Sequence, residues 1–386
     1  MLDNLHYFDG TSPMHRAWLE ISPGVIESNV KEIKKRLGKE CLLMAVVKAD
    51  GYGHGAETVS RAAIKGGANY LGVATLFEGV QIRKADINVP ILILGNLITR
   101  EELNSCFEWN LMPTLCSLSE AKICNEIAHK GNNKFRAHVK FDTGMTRLGC
   151  NFDDAFDFIE AIYRMDNIEL AGVYSHLALA DISFSEYASQ QTERQKLDFQ
   201  RIGLVLKSQN PNLCIHLANS AGTILDPSFH YDMVRVGLVL YGCSPFVSGA
   251  PQWDLKPALS VKAKVTFLRD VQEGVGVSYG HHYVTSRPSQ LAVIGIGYAD
   301  GINRALSGKI SAIFKGNFLP QVGAITMDQL IVDVTSVPQI KLGDTVTLLG
   351  EEQNKSITLR EWSEKSDIIP WEILCGFRNR LPRVII

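Results

Sequence analysis

Between Leu42 and Val236 the chain alternates short apolar runs with charge-faced helical stretches. No other feature narrows its fold as much. The strand-like runs are Leu42–Val47, Tyr70–Ala74, Pro90–Leu94, Leu111–Leu115, Ala137–Phe141, Leu170–His176, Cys214–Leu217 and Met233–Val236. Short β-branched-rich runs bounded by turn residues read as buried strands. Helical periodicity falls between them, at Glu57–Lys65, Thr99–Trp109, Ser119–Lys130, Asp153–Arg164 and Glu193–Lys207. Eight such units over roughly 230 residues have the size of a (β/α)8 TIM barrel, an α/β fold. A doubly wound open sheet is the rival. The unusual residues favour the barrel, because Lys48, Arg147, His176, Asn219, Ser220 and Arg235 follow or end strands, where barrels carry their active sites.

The flanks read differently. Arg16–Ile21 alternates like a half-buried strand, and Ser22–Pro23 starts a helix that runs to Gly38. From about Pro251 the rhythm changes to short β-rich runs at Ala258–Phe267, Gln290–Ile296, Lys309–Ile313, Gln329–Val334 and Thr345–Leu349, with one helical piece near Thr358–Ser363. The division expected is an N-terminal extension over residues 1–13, a barrel over 14–246 and a mainly β domain over 247–386. Pro245–Pro251 is the natural linker.

Composition removes whole classes of function. At 386 residues and 46% hydrophobic content there is enough apolar material for two cores. A net charge of −2 gives no electrostatic ground for nucleic acid or an anionic membrane. Neither a signal-peptide core nor a membrane span is found, which points to the cytoplasm. Eight cysteines with no C-x-x-C pair read as reduced thiols, and ten histidines show no ligand spacing, so no metal is expected.

The chemistry centres on Met44–Gly55, MAVVKADGYGHG. Lys48 ends a core strand, and Gly51, Gly53 and Gly55 flank Tyr52 and His54. Alone, Lys48 reads as a strand-end lysine reaching for water. Two further segments change its weight: Asn219–Gly222 (NSAG) and Arg235–Leu238 (RVGL) sit just past the last two strands. Barrels commonly hold phosphates there, through backbone N–H groups, small hydroxyls and glycines. A lysine amine with a phosphate cradle implies pyridoxal phosphate, whose aldehyde forms a Schiff base with lysine.

From Arg16 to Arg383 the chain resembles the alanine racemases, fold-type III pyridoxal-phosphate enzymes. The resemblance rests on AVVKADGYGHGA (45–56), VKFDTGMTRLG (139–149), YSHLALAD (174–181), HLANSAG (216–222), DMVRVGLVLYG (232–242), VSYG (277–280), IGYADG (296–301) and MDQ (327–329). It implies a homodimer with shared active sites, acting on alanine and supplying D-alanine for peptidoglycan. On this resemblance Lys48 is the Schiff-base lysine and one of two bases, and Tyr279 of the partner subunit is the other. Tyr52, Ser220, Gly237 and Leu238 hold the phosphate. Arg147 reaches the substrate carboxylate and the cofactor's phenolic oxygen, Arg235 faces the pyridine nitrogen, and His176 supports the hydrogen bonds. Lys140 stands where the family can carry a carbamylated lysine, and Met327 reaches the partner's substrate pocket.

Three positions depart from the family pattern. Trp371 stands where tyrosine usually contributes to the phosphate site, Ala324 where arginine is frequent, and Thr326 where cysteine is common. Three other readings compete. One is a racemase for serine or several amino acids, since a pocket discriminates a methylene by only about 1–3 kcal/mol. Another is a basic amino-acid decarboxylase, in which an acidic residue replaces Arg235. The third is a non-catalytic pyridoxal-phosphate carrier, which has no second domain.

Overall fold

The computed structural model describes residues 15–182, 185–246 and 253–386. The expected extension lies outside them, as does most of the expected linker. The described residues divide into two compact units, one drawn from 26–51 and 56–256, the other from 15–25, 52–55 and 257–386. None of their helices is long and apolar enough to cross a membrane.

The first strand, β1 (Ala17–Ile21), is set aside for the moment. In the larger unit follow β2 (Leu42–Val46), β3 (Tyr70–Val73), β4 (Ile91–Ile93), β5 (Thr114–Leu115), β6 (Phe135–Asp142), β7 (Cys150–Asn151), β8 (Ile168–Tyr174), β9 (Cys214–His216) and β10 (Met233–Val236). β10, β2, β3 and β4 pair in parallel, as do β5, β6, β8 and β9, with β7 capping β6. A parallel bridge from Leu92 to Met112 joins β4 to the approach of β5. The Asp232 N–H to Ile215 oxygen bond, 3.0 Å, joins β9 to β10. Eight parallel strands thus close the expected TIM barrel. Met44, Leu92, Met112, Tyr174, Cys214 and Met233 form a buried cluster drawn from its strands.

Most helices match the periodic stretches, including Ala56–Gly66, Arg100–Glu108, Leu118–Lys130 and Ala155–Tyr163. Leu76–Lys84 is a further helix whose apolar residues fall on no single face. A capping box from Thr75 and Glu78 starts it.

The second unit holds β11 (Leu259–Val271), β12 (Gly276–Val277), β13 (Tyr283–Val284), β14 (Ser289–Ile294), β15 (Ser311–Phe314), β16 (Asn317–Val322), β17 (Leu330–Asp333), β18 (Thr345–Glu352), β19 (Lys355–Ile357) and β20 (Arg383–Ile385). The order β11-β14-β17-β16-β15-β18 returns to β11, so an antiparallel sheet closes on itself. The mainly β domain read from the sequence is therefore present.

Here β1 finds its place. It pairs antiparallel with β11 and parallel with β20. The sequence reading assigned residues from 14 onward to the barrel, and the structure puts β1 in the β unit instead. Its alternation of buried and half-exposed positions explains the difference. Barrel strands are buried on both faces, whereas an antiparallel sheet can present one face to water.

Candidate active site

Lys48, Lys140, Arg147, His176, Ser220, Arg235, Gly237 and Leu238 all lie in the barrel unit, at or just past the C-terminal ends of its strands. Beyond Lys48 the backbone turns left-handed, with φ of 53°, 53°, 59° and 51° at Ala49, Asp50, Gly51 and Tyr52. Such backbone costs roughly 1–2 kcal/mol per residue other than glycine, so neighbours must hold it. Glu78 supplies much of that hold. One of its carboxylate oxygens accepts the Ala49 N–H at 2.7 Å, while the other accepts those of Ala74 (2.7 Å) and Thr75 (3.1 Å). Asp50 adds a bond from the Ala56 N–H at 2.8 Å.

Arg235 is buried, and its guanidinium is the hub of the site. Nη2 donates to the carbonyls of Ser175 (2.7 Å) and Leu217 (3.1 Å), and to His176 Nδ1 (3.3 Å). Nη1 donates to the His216 carbonyl (3.1 Å) and to His216 Nδ1 (3.0 Å). Among the described residues it has no carboxylate partner. Burial pushes it down to about 10, which leaves it protonated at neutral pH. Because guanidinium only donates, Nδ1 of both histidines must be the acceptor, and their protons lie on Nε2. His216 then donates from Nε2 to His138 Nδ1 at 2.9 Å, so the His138 proton sits on its own Nε2, which has no partner among the described residues. A Cβ at Gly172 would come within 2.6 Å of the His138 ring, so glycine there makes room for it.

Tyr174 completes the floor. Its ring stacks on His216 at 4.8 Å, the Arg235 guanidinium lies 4.9 Å from the ring centre, and its hydroxyl bonds to Thr114 at 2.8 Å. Burial, then the charge of Arg235, keeps His216 and His176 neutral well below their ordinary range, and burial holds His138 at about 3. Lys140 is also buried, and its amine is pushed to about 8 by that burial and by Arg235 and Arg147. Lys48, Lys140, Arg147 and Arg235 all act on His176. The nearby carboxylate of Asp142 is engaged by the N–H groups of Gly144, Met145 and Thr146 at 2.9–3.0 Å. Such a cluster of cations calls for anionic ligands.

The segments expected to hold a phosphate are compact. Asn219 caps the short helix Ser220–Leu225, and the Gly237 N–H donates to Ser220 Oγ at 2.9 Å. This bond brings the two expected phosphate segments together.

Tyr52, Tyr279, Met327 and Trp371 belong to the β unit. Arg383 donates to the Gly53 carbonyl at 3.1 Å, and a Cβ on Gly53 would meet the Leu374 carbonyl at 2.5 Å. The Tyr52 segment therefore lies directly on helix Pro370–Gly376, which carries Trp371. Tyr279 is 72% exposed at the tip between β12 and β13, where Ser278, Gly280 and His281 all have positive φ. Ser278 Oγ donates to the Ala324 carbonyl at 2.7 Å, which anchors the tip. Met327 is 53% exposed, and its carbonyl accepts the Ala299 N–H at 3.0 Å. Thr326 turns its hydroxyl to the Gln329 carbonyl at 2.8 Å.

Family models decide the classification. The model described as alanine racemase, N-terminal domain, matches residues 21–245, and that described as alanine racemase, C-terminal domain, matches 258–385. The chain belongs to the alanine racemase family. An alanine racemase of Prochlorococcus marinus is 55% identical over 374 residues, covering 97% of both chains. One from Synechocystis sp. is 43% identical and covers 96% of this chain and 99% of its own. The crystal structure of alanine racemase from Bartonella henselae with covalently bound pyridoxal phosphate superposes with a TM-score of 0.84. It is 32% identical and covers 96% of this chain and all of that one.

Their positions at strand ends singled out Lys48, His176, Ser220 and Arg235 in the sequence, and the resemblance gave them roles. Tyr174, His216, His138 and Glu78 were missed as parts of the site. Tyr174 and His216 open two of the quoted motifs, so position in a motif was a usable signal for them. Glu78 was legible only as a helix cap.

Proposed function

We propose that this chain is a pyridoxal-phosphate-dependent alanine racemase, an isomerase interconverting L-alanine and D-alanine. The observation that carries the reading is the buried Arg235 hub, set among cations and beside the Ser220–Gly237 cradle at the mouth of an alanine racemase barrel. The residues suit the cofactor, with an amine at Lys48, small donors for a phosphate, and in Arg235 a buried cation that would face the ring nitrogen. Bound there, pyridoxal phosphate withdraws electrons from the substrate α-carbon and so acidifies its proton.

The chain's own residues do the rest. Lys48 anchors the cofactor and moves the proton on one face, while Tyr279 of the partner subunit moves it on the other. Ser220, Gly237, Leu238 and Tyr52 hold the phosphate, with Trp371 beside them. Arg147 binds the substrate carboxylate, and Met327 lines the pocket of the partner. Arg235 stays charged and gives the ring nitrogen no proton, which limits side reactions that need a fully protonated ring. His176, neutral with its proton on Nε2, donates toward the Tyr279 phenol and stabilises its ionised form. Lys140 has an amine near neutrality; with carbon dioxide it forms a carbamate, the new N–C bond releasing one proton, and the product pairs with Arg147. The active form is a cytoplasmic homodimer, and its product supplies peptidoglycan.

The test is a racemisation assay by chiral chromatography on the cofactor-loaded protein, with alanine, serine, lysine and arginine in parallel. Alanine is expected to turn over fastest. Faster serine or mixed turnover supports the broad-specificity racemase instead, and carbon dioxide release supports a decarboxylase. A loaded protein that leaves every amino acid unchanged would be only a cofactor carrier.

A further inference from the structure

Gln195 lies on the long helix Glu186–Gln209, outside every motif quoted above, yet it is only 4% exposed. Its amide is fully engaged. Oε1 accepts the Ala178 N–H at 2.9 Å, while Nε2 donates to the His176 carbonyl at 3.0 Å and to Thr143 Oγ1 at 3.2 Å. Since a carbonyl only accepts, the contact with His176 settles which amide atom is nitrogen. Thr143 Oγ1 in turn shares a hydrogen bond with Ser175 Oγ at 2.8 Å.

Three successive carbonyls after β8 are thus held by three side chains. Ser175 is held by Arg235, His176 by Gln195, and Leu177 by Asn219 at 3.1 Å. Gln195 alone among these three bonds to Thr143 as well, four residues before Arg147 in the loop that wraps the Asp142 carboxylate. A cavity of about 360 Å³ adjoins the amide, lined in part by Asp142, Thr143, Gly144, Ala178 and Gln191. On that side the two loops are tied by hydrogen bonds, from the Gln195 amide and between Thr143 and Ser175.

We propose that Gln195 is a positioning residue that couples the His176 loop to the Arg147 loop and so fixes the His176 ring against Arg235. The bond from Arg235 to His176 Nδ1, at 3.3 Å, is the longest the guanidinium makes and the one most exposed to a shift of that loop. Freed from Gln195, the loop relaxes toward the cavity, and His176 holds the Tyr279 phenol less well. The inference rests on the roles assigned under the proposed function.

The test uses full-length, cofactor-loaded protein carrying Gln195→Met, which keeps the volume and removes all three bonds. Mirror-image substrates fix the equilibrium constant at one, so kcat/KM must fall equally for L- and D-alanine, by about 10- to 100-fold. Two readouts separate positioning from mere destabilisation. The α-deuterium isotope effect should rise only for the enantiomer whose proton goes to Tyr279, and the phenol limb of the pH profile should move to higher pH. The absorbance of the bound cofactor should not change. Unmoved isotope effects and an unmoved limb, whatever happens to Tm, overturn the proposal. If Gln195→Met does not fold, Thr143→Val removes the Gln195 bond from the other end together with the bond to Ser175, and the same limb should shift. A wild-type chain that fails to racemise alanine refutes the function itself, while an active wild type with an unaltered variant refutes only the positioning role.

Discussion

The buried hub of the barrel unit and the exposed tips of the β unit hold their side chains in opposite ways. In the barrel unit Arg235, His216, Tyr174 and Gln195 are buried, each held by hydrogen bonds or ring contacts to named partners. In the β unit Tyr279 and Met327 stand out from turns. The barrel residues are held by contacts to one another, whereas Tyr279 and Met327 project from turns of the β unit. Preorganisation is cheap where the backbone ladder already fixes the neighbours, and the left-handed turns at Ala49–Tyr52 and Ser278–His281 mark where each unit strains backbone to aim a side chain.

The strongest way to break this contrast is Lys48→Ala. It should lower racemisation by ~10⁴-fold or more in the chiral assay and abolish the absorption band at about 420 nm from the lysine–cofactor bond. Next comes Tyr279→Phe, which should cost on the order of 10³-fold in kcat while the Lys48 face still exchanges solvent deuterium into one enantiomer. Undiminished racemisation in that variant would mean that the exposed phenol serves no chemistry.

Arg235→Met sharpens the barrel side. It strands the carbonyls of Ser175, His216 and Leu217, and denaturant unfolding should show a loss of about 2–5 kcal/mol. A loss below 1 kcal/mol would show that the hub does not hold the site together.

A further test is set by pH. His138, His176 and His216 have folded values pushed below their unfolded value of about 6.5. Below that pH the unfolded chain binds protons that the folded chain refuses, so stability is full above about 6.5 and falls as pH drops through the window beneath it. Each histidine contributes a slope of up to about 1.4 kcal/mol per pH unit. Hydrogen exchange between pH 7 and 5 should show the barrel unit opening first. Equal loss in both units would contradict the buried-histidine account.

Much of the fold was legible in advance because its signals are local. The apolar run ending at Lys48 and the helix caps depend on neighbours a few residues apart. The site was less legible. His138 and His216 lie 78 positions apart and meet only because β6, β8 and β9 run side by side in the barrel wall. Gln195 had no signal, since a polar residue on a charged helix reads as surface until the loops around it are placed. The alternation in Arg16–Ile21 announced a strand but not its partner, and β11 and β20 supplied that.

Sequence alone determined the eightfold strand and helix rhythm, the lysine at a strand end and the family. These follow from hydrophobic period, turn chemistry and ordered motifs, all written along the chain. Only the tertiary structure decided which histidine tautomers exist, what secures the His176 loop and which unit owns β1. Those depend on hydrogen bonds between residues that only sheet register and barrel closure bring within 3 Å or so.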